Sequence, residues 1–263
     1  MTAHPSSARA LVLIGAGGHA REIIAQVEAI NAHAESTGVQ ADATDARSDA
    51  PDHFARASDA HAPPARSGPL DGDTPPIRWH LLGLLVDDAW RGAEPVDGTP
   101  QLGPPEWLRT RADLWACVAV GDPALRLRLA GRASAAGAAG FATLVHPRAW
   151  IAPRVTLGPG CQIMAGALVN AHASLGAHVI LNLGSSVSHD CVLGDGVTLG
   201  PGARLAGGVT IGAATAVGMG ALVLPGVSVG RDATIGAGAV VTRPVPDGVT
   251  VVGNPARVLQ RGH

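Results

Sequence analysis

The stretch Ile151-Ala-Pro-Arg-Val-Thr-Leu157-Gly-Pro-Gly-Cys-Gln-Ile163-Met-Ala-Gly-Ala-Leu-Val169 decides the fold, and its pattern runs on without a slip to about Thr242. A branched aliphatic recurs at every sixth position, continuing through Leu175, Leu181, Val187, Leu193, Leu199, Leu205, Ile211, Val217, Val223, Val229, Ile235 and Val241. A period of six fits neither the 3.6-residue helix nor strand alternation, and self-similarity at a short fixed period marks a solenoid of the hexapeptide β-helix type. The residue four places after each aliphatic is small or β-branched, as at Val155, Cys161, Ala167 and Ala173, and Gly often follows the aliphatic directly, as at Gly158, Gly176 and Gly194. Each hexad reads as a short strand plus a corner; three hexads close a triangular coil, the aliphatics stack inside, and residues eighteen apart lie above one another.

The 263 residues are 46% hydrophobic with a net charge of −2, which gives a globular chain with no electrostatic footprint for nucleic acid or an anionic membrane. Cys117, Cys161 and Cys191 form no C-x-x-C pair, and two of them fall at the small-residue corner positions, so they read as reduced packing residues. The apolar run Ala10 to Ala16 is far too short to span a bilayer, and cytoplasmic residence follows.

Before the solenoid, Ala10-Leu-Val-Leu-Ile14 is a strand, Gly15-Ala-Gly-Gly-His-Ala20 a glycine turn, and Ile23, Ile24, Val27 and Ile30 share one face of a helix. Gly15, Gly17 and Ala20 satisfy the relaxed dinucleotide fingerprint, which is either a phosphate-binding turn at a helix N-terminus or a turn kept for close strand–helix packing. From about Ala32 to Pro76 the composition turns to Ala, Asp, Ser, Arg, His and Pro, so residues 32–76 read as a disordered insertion outside the core, with His33, His53 and His61 as solvated residues. A second strand, Trp79 to Val86, ends at Asp87-Asp88; a third, Leu114 to Val120, ends at Gly121-Asp122-Pro123; a helix spans Ala124 to Ala136; and Phe141 to Val145 is a fourth strand. Strands alternating with helices predict a small parallel sheet, hence one domain over 1–145 and a second over 146–263. Asp87 and Asp88 stand where an open α/β sheet presents ligand-binding groups, and are equally ordinary turn acids.

His189 lies two residues beyond inward-pointing Val187, and its neighbours eighteen residues away, Ala171 and Gly207, leave space beside it. An imidazole removes a proton from an attacking nucleophile near neutral pH, and Asp190 follows as its orienting partner. The alternative is a solvent-facing polar residue on a coil surface.

The turn Gly15-Ala-Gly-Gly-His-Ala-Arg21, the strand ends Val86-Asp-Asp88 and Ala119-Val-Gly-Asp122, the segment Asn182-Leu-Gly-Ser-Ser-Val-Ser-His-Asp-Cys191 and the closing Gly253-Asn-Pro-Ala-Arg257 together carry a resemblance. The chain resembles the sugar acetyltransferases of the sialic acid O-acetyltransferase and bacillosamine N-acetyltransferase group over nearly its whole length outside 32–76. That resemblance implies a Rossmann-like parallel sheet followed by a left-handed parallel β-helix, and transfer from acetyl-CoA to the amino group of a nucleotide-linked amino sugar. It implies His189 as general base and Asp190, where the family often has Glu, beside it, with a backbone N–H stabilising the oxyanion. It implies acetyl-CoA contacts at Thr198, where the family can carry histidine, and at Met219 and Ala237. Nucleotide contacts are implied at Gly17, Gly18, His19, Asp87, Asp88 and Gly121, in a homotrimer whose active sites lie between neighbouring β-helices, with no metal. O-acetylation of sialic acid or a related sugar hydroxyl is the runner-up. A zinc carbonic anhydrase would need three converging histidines, and among His172, His178 and His189 only the first and last approach a coil spacing. A nicotinamide oxidoreductase would need a longer sheet, and a non-enzymatic scaffold is the remaining alternative.

Overall fold

The structure is a computed structural model and describes residues 8–36, 77–87, 96–111 and 113–259. From residue 37 onward the expected insertion lies outside the described residues, as does Asp88.

Five strands form the N-terminal sheet: β1 (Arg9–Ile14), β2 (Trp79–Leu85), β3 (Gln101–Gly103), β4 (Trp115–Val118) and β5 (Gly140–Phe141), all parallel in the order β3-β2-β1-β4-β5. The unbroken apolar runs Leu11–Ile14 and Ala116–Val118 are buried on both sides, as a sheet covered on both faces requires. Helix α1 (Gly18–Ser36) lays Ile23, Ile24, Val27 and Ile30 over Leu11, Leu13 and Leu84. Helix α2 (Pro123–Ala135) and a 3-10 turn at Pro105–Thr110 cover the other face, packing Leu108, Leu129, Ala130 and Ala133 on Val12, Ile14 and Ala116. Pro123 presets the first turn of α2, and the Asp122 side chain caps it by accepting from the Leu125 N–H at 2.7 Å. Strand order reverses between β1 and β4, which opens a crevice beyond their carboxyl ends.

Two readings of this region need correcting. Residues 32–36 belong to α1 and not to the insertion, because Ala34 is still buried and the Asn31 amide exchanges two hydrogen bonds with the Trp79 backbone, at 2.8 and 2.9 Å. The stretch Phe141 to Val145 is two strands rather than one: Gly140–Phe141 closes the sheet, whereas β6 (Leu144–Val145) pairs with Gln162–Ile163 and begins the solenoid.

From β6 to β22 (Val240–Val241) each strand is two residues long and pairs in parallel with those eighteen residues away, giving a left-handed parallel β-helix with three faces. The docked face carries Gln162, Ile180, Thr198 and Ala216 outward, the front face Trp150, Leu168, Ser186, Arg204 and Leu222, and the third face Thr156, Ser174, Val192 and Thr210. The hexad aliphatics and the small residues four places later fill one continuous core. Those small residues are therefore core groups, and the tight turn sits one place before them. There φ lies between 54° and 75° at every corner from Arg154 to Gly238, and the position is mostly Gly, with Arg154, His172, His178, Asp190, Ala214 and Asp232 as exceptions.

The sheet domain rests on the docked face, so that Ile180, an outward strand residue, is only 1% exposed. Gln26 of α1 donates to the carbonyls of Leu144 (3.0 Å) and Ile163 (2.8 Å), and Met164 joins the core beneath α1. At the far end β23 (Thr250–Val252) adds one more parallel strand and β24 (Arg257–Val258) turns back antiparallel.

Candidate functional site

His189 and Asp190 occupy the corner between the front and third faces. Asp190 is the left-handed residue of its turn, with φ 59°, and the carboxylate accepts from His189 Nδ1 at 2.7 Å. A carboxylate partner at Nδ1 puts the proton there and leaves the lone pair on Nε2, the nitrogen turned to the surroundings. Both side chains are 63% exposed, so the pair stands at an open surface. The imidazole lies along the corner over Gly207: a Cβ built there would come within 2.6 Å of His189 Nε2 and Cε1. The missing side chain of Gly207 thus makes the room expected of it.

The second cluster surrounds the crevice of the sheet domain. Gly15 has φ 122°, and a Cβ on it would meet the Ala119 carbonyl at 2.8 Å, so this glycine serves close packing of β1 on β4. Gly17, Gly18 and Gly121 differ, because a Cβ at any of them meets nothing within 4 Å. They line open space beside the N-terminal turn of α1, where the Ala20 N–H bonds back to the Gly17 carbonyl at 2.9 Å and the positive end of the helix suits an anionic group.

His19 faces the other way. Its Nδ1 pairs with Glu22 at 2.7 Å and its Nε2 with Gln162 Oε1 at 2.7 Å, while Gln162 Nε2 donates to the Val118 carbonyl at 2.9 Å. The ring therefore bridges α1 to the β-helix. Asp87 is also engaged: Arg132 donates to both its oxygens at 2.7 Å and to both oxygens of Glu106 at 3.0 Å, and the guanidinium holds both carboxyls below the usual carboxylate range. Asp87 borders a hollow of about 600 Å³ with Leu125, Arg128, Leu129 and Arg132. Asp88 lies outside the described residues.

The three residues expected to contact acetyl-CoA fall in two places. Met219, 62% exposed, and Ala237 share a corner column between the docked and front faces, the edge opposite His189. Thr198 lies on the docked face. Its hydroxyl accepts from Arg126 Nη2 at 2.8 Å and donates to the Gly121 carbonyl at 3.3 Å, so within this chain it belongs to the crevice cluster. Gln162 and Arg126, which tie these clusters together, escaped the sequence reading. Outward Ile180 is buried on the docked face, but outward Trp150, Leu168, Val192 and Leu222 are equally apolar and exposed, so the pattern alone does not mark the covered face.

Among the described residues no three His, Cys, Asp or Glu side chains are grouped to hold a metal ion. Burial and the neighbouring Arg126 lower the His178 pKa to about 4, with its ring stacked edge-on against Phe141 at 4.6 Å. Burial pushes the Cys117 and Cys161 thiols up to about 12, which makes them inert packing groups. No described helix is long and apolar enough to cross a membrane.

The family model for the bacterial transferase hexapeptide (six repeats) matches residues 208–243. A search of curated protein sequences finds no match. Among solved structures, the chain is 31% identical to the perosamine N-acetyltransferase of Caulobacter crescentus, crystallised as a His-to-Asn mutant with CoA and GDP-perosamine; the match covers 96% of this chain and 97% of that one at a TM-score of 0.72. It is 30% identical to the acetyltransferase domain of PglB from Neisseria gonorrhoeae in complex with acetyl coenzyme A, covering 96% of this chain and 100% of that one at a TM-score of 0.70. WeeI from Acinetobacter baumannii, at 23% identity, 95% and 100% coverage and a TM-score of 0.69, shares the fold.

Proposed function

The chain belongs to the hexapeptide-repeat N-acetyltransferases of nucleotide-linked amino sugars, and from that premise we propose how its own residues divide the reaction. It transfers the acetyl group of acetyl-CoA to the amino group of such a sugar. The observation that carries the assignment of roles is the His189–Asp190 pair, with Nδ1 held by the carboxylate and Nε2 open at the surface above Gly207.

In the proposed step the amine nitrogen attacks the thioester carbonyl while His189 Nε2 takes the amine proton. Collapse of the tetrahedral species forms the amide and breaks the C–S bond, and the imidazolium returns its proton to the leaving thiolate. Asp190 keeps Nδ1 protonated and stabilises the transient positive charge. No acyl-enzyme is needed.

Gly17, Gly18 and Gly121 hold the phosphates and sugar of the acceptor in this reading, with the nucleoside extending towards Asp87. His19 and Asp87 act by fixing the walls of the crevice, since their polar atoms are taken by Glu22, Gln162 and Arg132. Met219 and Ala237 contact acetyl-CoA. They sit on the opposite edge of the front face from His189 and two and three coils further along the β-helix, and in this reading one complete site draws on two copies of the chain. A homotrimer supplies that arrangement, and the exposed row Trp150, Leu168 and Leu222 gives the front face apolar surface for it. We assign the reaction to the cytoplasm.

Acetyl-CoA consumption is measured against UDP- and GDP-linked amino sugars and their free counterparts. Wild type turns over a nucleotide-linked amine, and His189→Ala lowers kcat by roughly 10²–10⁴-fold. Near-wild-type kcat in His189→Ala would remove the general-base role, and equal activity on free sugars would remove the role of Gly17 and Gly18.

A further inference from the structure

Among the described residues Arg126 is the largest fully buried side chain, at 0% exposure, and its hydrogen-bond partners there include no carboxylate. Every one of its five N–H donors is used. Nε donates to the His178 carbonyl at 2.9 Å; Nη1 to the carbonyls of Val120 (2.8 Å) and Gly121 (3.0 Å); Nη2 to the Gly196 carbonyl (2.6 Å) and the Thr198 hydroxyl (2.8 Å). Burial lowers its pKa only to about 10, so the group stays charged at neutral pH.

Burying a guanidinium with no carboxylate in hydrogen-bond contact is costly, even with the Asp122 charge nearby, and apolar residues commonly join two surfaces at least as stably. Leu127, the next residue of α2, does that apolar work already, since it packs where a Cβ on Gly196 would stand. What a planar fork adds is direction. One side of it grips the Val120–Gly121 turn and the other grips the same corner on two successive coils of the β-helix, at His178 and Gly196. The Thr198 hydroxyl reinforces the same point by donating to the Gly121 carbonyl, and Gln162 holds Val118 two residues earlier. Gly121 meanwhile turns an open face to the crevice, where a Cβ would meet nothing.

We propose that Arg126, with Thr198, is a positioning residue for the acceptor substrate: the buried fork fixes the Val120–Gly121 turn, the floor of the nucleotide crevice, relative to the β-helix and so sets where the nucleotide-linked amine is presented. This rests on the functional reading above for the acceptor's chemistry, and it moves Thr198 from the acetyl-CoA site to the nucleotide site. Acetyl-CoA binding is then independent of both residues.

The test compares wild type with Arg126→Lys, which keeps charge but loses the fork, Arg126→Met, which keeps an apolar stem, and Thr198→Val, a near-isosteric change at the edge of the cluster. Calorimetric titration gives Kd for GDP, UDP and acetyl-CoA, steady-state kinetics gives kcat and KM for each substrate, and thermal unfolding reports stability. The expected result is a tenfold or larger weakening of nucleotide Kd and acceptor KM in both Arg126 variants and a threefold or larger weakening in Thr198→Val, with acetyl-CoA Kd within twofold of wild type. Unchanged nucleotide Kd in Thr198→Val and in whichever Arg126 variants fold, with only the unfolding midpoint lowered, makes the cluster a packing device and overturns the proposal. A Thr198→Val effect confined to acetyl-CoA overturns it as well. Should wild type bind GDP or UDP yet acetylate no nucleotide-linked amine, the functional reading fails while the Kd comparison still decides the role of Arg126; wild type that binds neither nucleotide sinks both.

Discussion

At the scale of single residues, the site depends as much on what is missing as on what is present. Gly207 has an unexceptional backbone conformation, so alanine is tolerated there by the chain, but its methyl group would occupy the space of the His189 ring. Gly207→Ala is expected to keep the unfolding midpoint close to wild type and lower kcat by roughly 10–100-fold, the penalty for a base displaced by about an ångström. An unchanged kcat, measured by thioester consumption, would mean that the ring has no fixed working position. The spacing alone brings His189, Asp190 and Gly207 together, because Gly207 stands one coil beyond His189 in a period of eighteen. Arg126 was not legible. In the sequence it is one of three arginines on a helix, and only the docking of α2 against the β-helix separates it from Arg132, which is half-exposed and paired with Asp87 and Glu106.

At the scale of the repeating element, the period gave the coil, its faces and its core, while the conformational demand of each corner went unread. Small residues four places after each aliphatic drew the eye as corner formers, but they point inward; the left-handed residue stands one place earlier. Glycine is not obligatory there, and that is why the pattern stayed hidden. Ala214 occupies such a corner with φ 56° and offers no side-chain hydrogen bond in return. The left-handed conformation costs a non-glycine residue about 1–2 kcal/mol, part of which glycine gives back in chain entropy. Ala214→Gly is therefore expected to stabilise the chain by roughly 0.5–1 kcal/mol, raising the unfolding midpoint by about 1–4 °C. A lower midpoint would show that the corner is held by its neighbours at no local cost.

At the scale of the whole molecule, the seam between the domains and the pairing of copies each carry a consequence. His178 is buried at the seam, where burial lowers its pKa to about 4 against 6.5 in the open chain. The unfolded state therefore takes up the proton first, so this residue's contribution is intact above pH 6.5 and is lost as pH falls towards 4. Between pH 7.5 and 4.5 the loss amounts to about 2–3 kcal/mol. Denaturant unfolding across that range should show a shallower pH dependence in His178→Phe than in wild type, whatever the variant's stability at neutral pH; equal slopes would assign the acid sensitivity elsewhere. The second consequence concerns copies. Gly17→Asp sets a carboxylate against the phosphates in space that the unliganded chain leaves open. If one copy's crevice serves another copy's His189, co-refolding inactive Gly17→Asp chains with inactive His189→Ala chains restores part of the activity. Mixtures that stay as inactive as their parents would place the whole site within one chain. The seam was the least legible level of all, since outward apolar residues of the β-helix stand on covered and open faces alike.

Gln26 reaches from α1 to the carbonyl of Leu144 in β6, the first strand of the docked face, and to that of Ile163 beside it, while β24 pairs with β23 at the other end. The sheet domain is thus also a stopper for the solenoid. Coils can be gained or lost towards the C-terminal end without disturbing it, but a lineage that discarded the sheet domain would leave bare strand edge open to pairing with other chains. On the proposed function, the domain that recognises the acceptor is thereby also the one that shields the first strand of the solenoid.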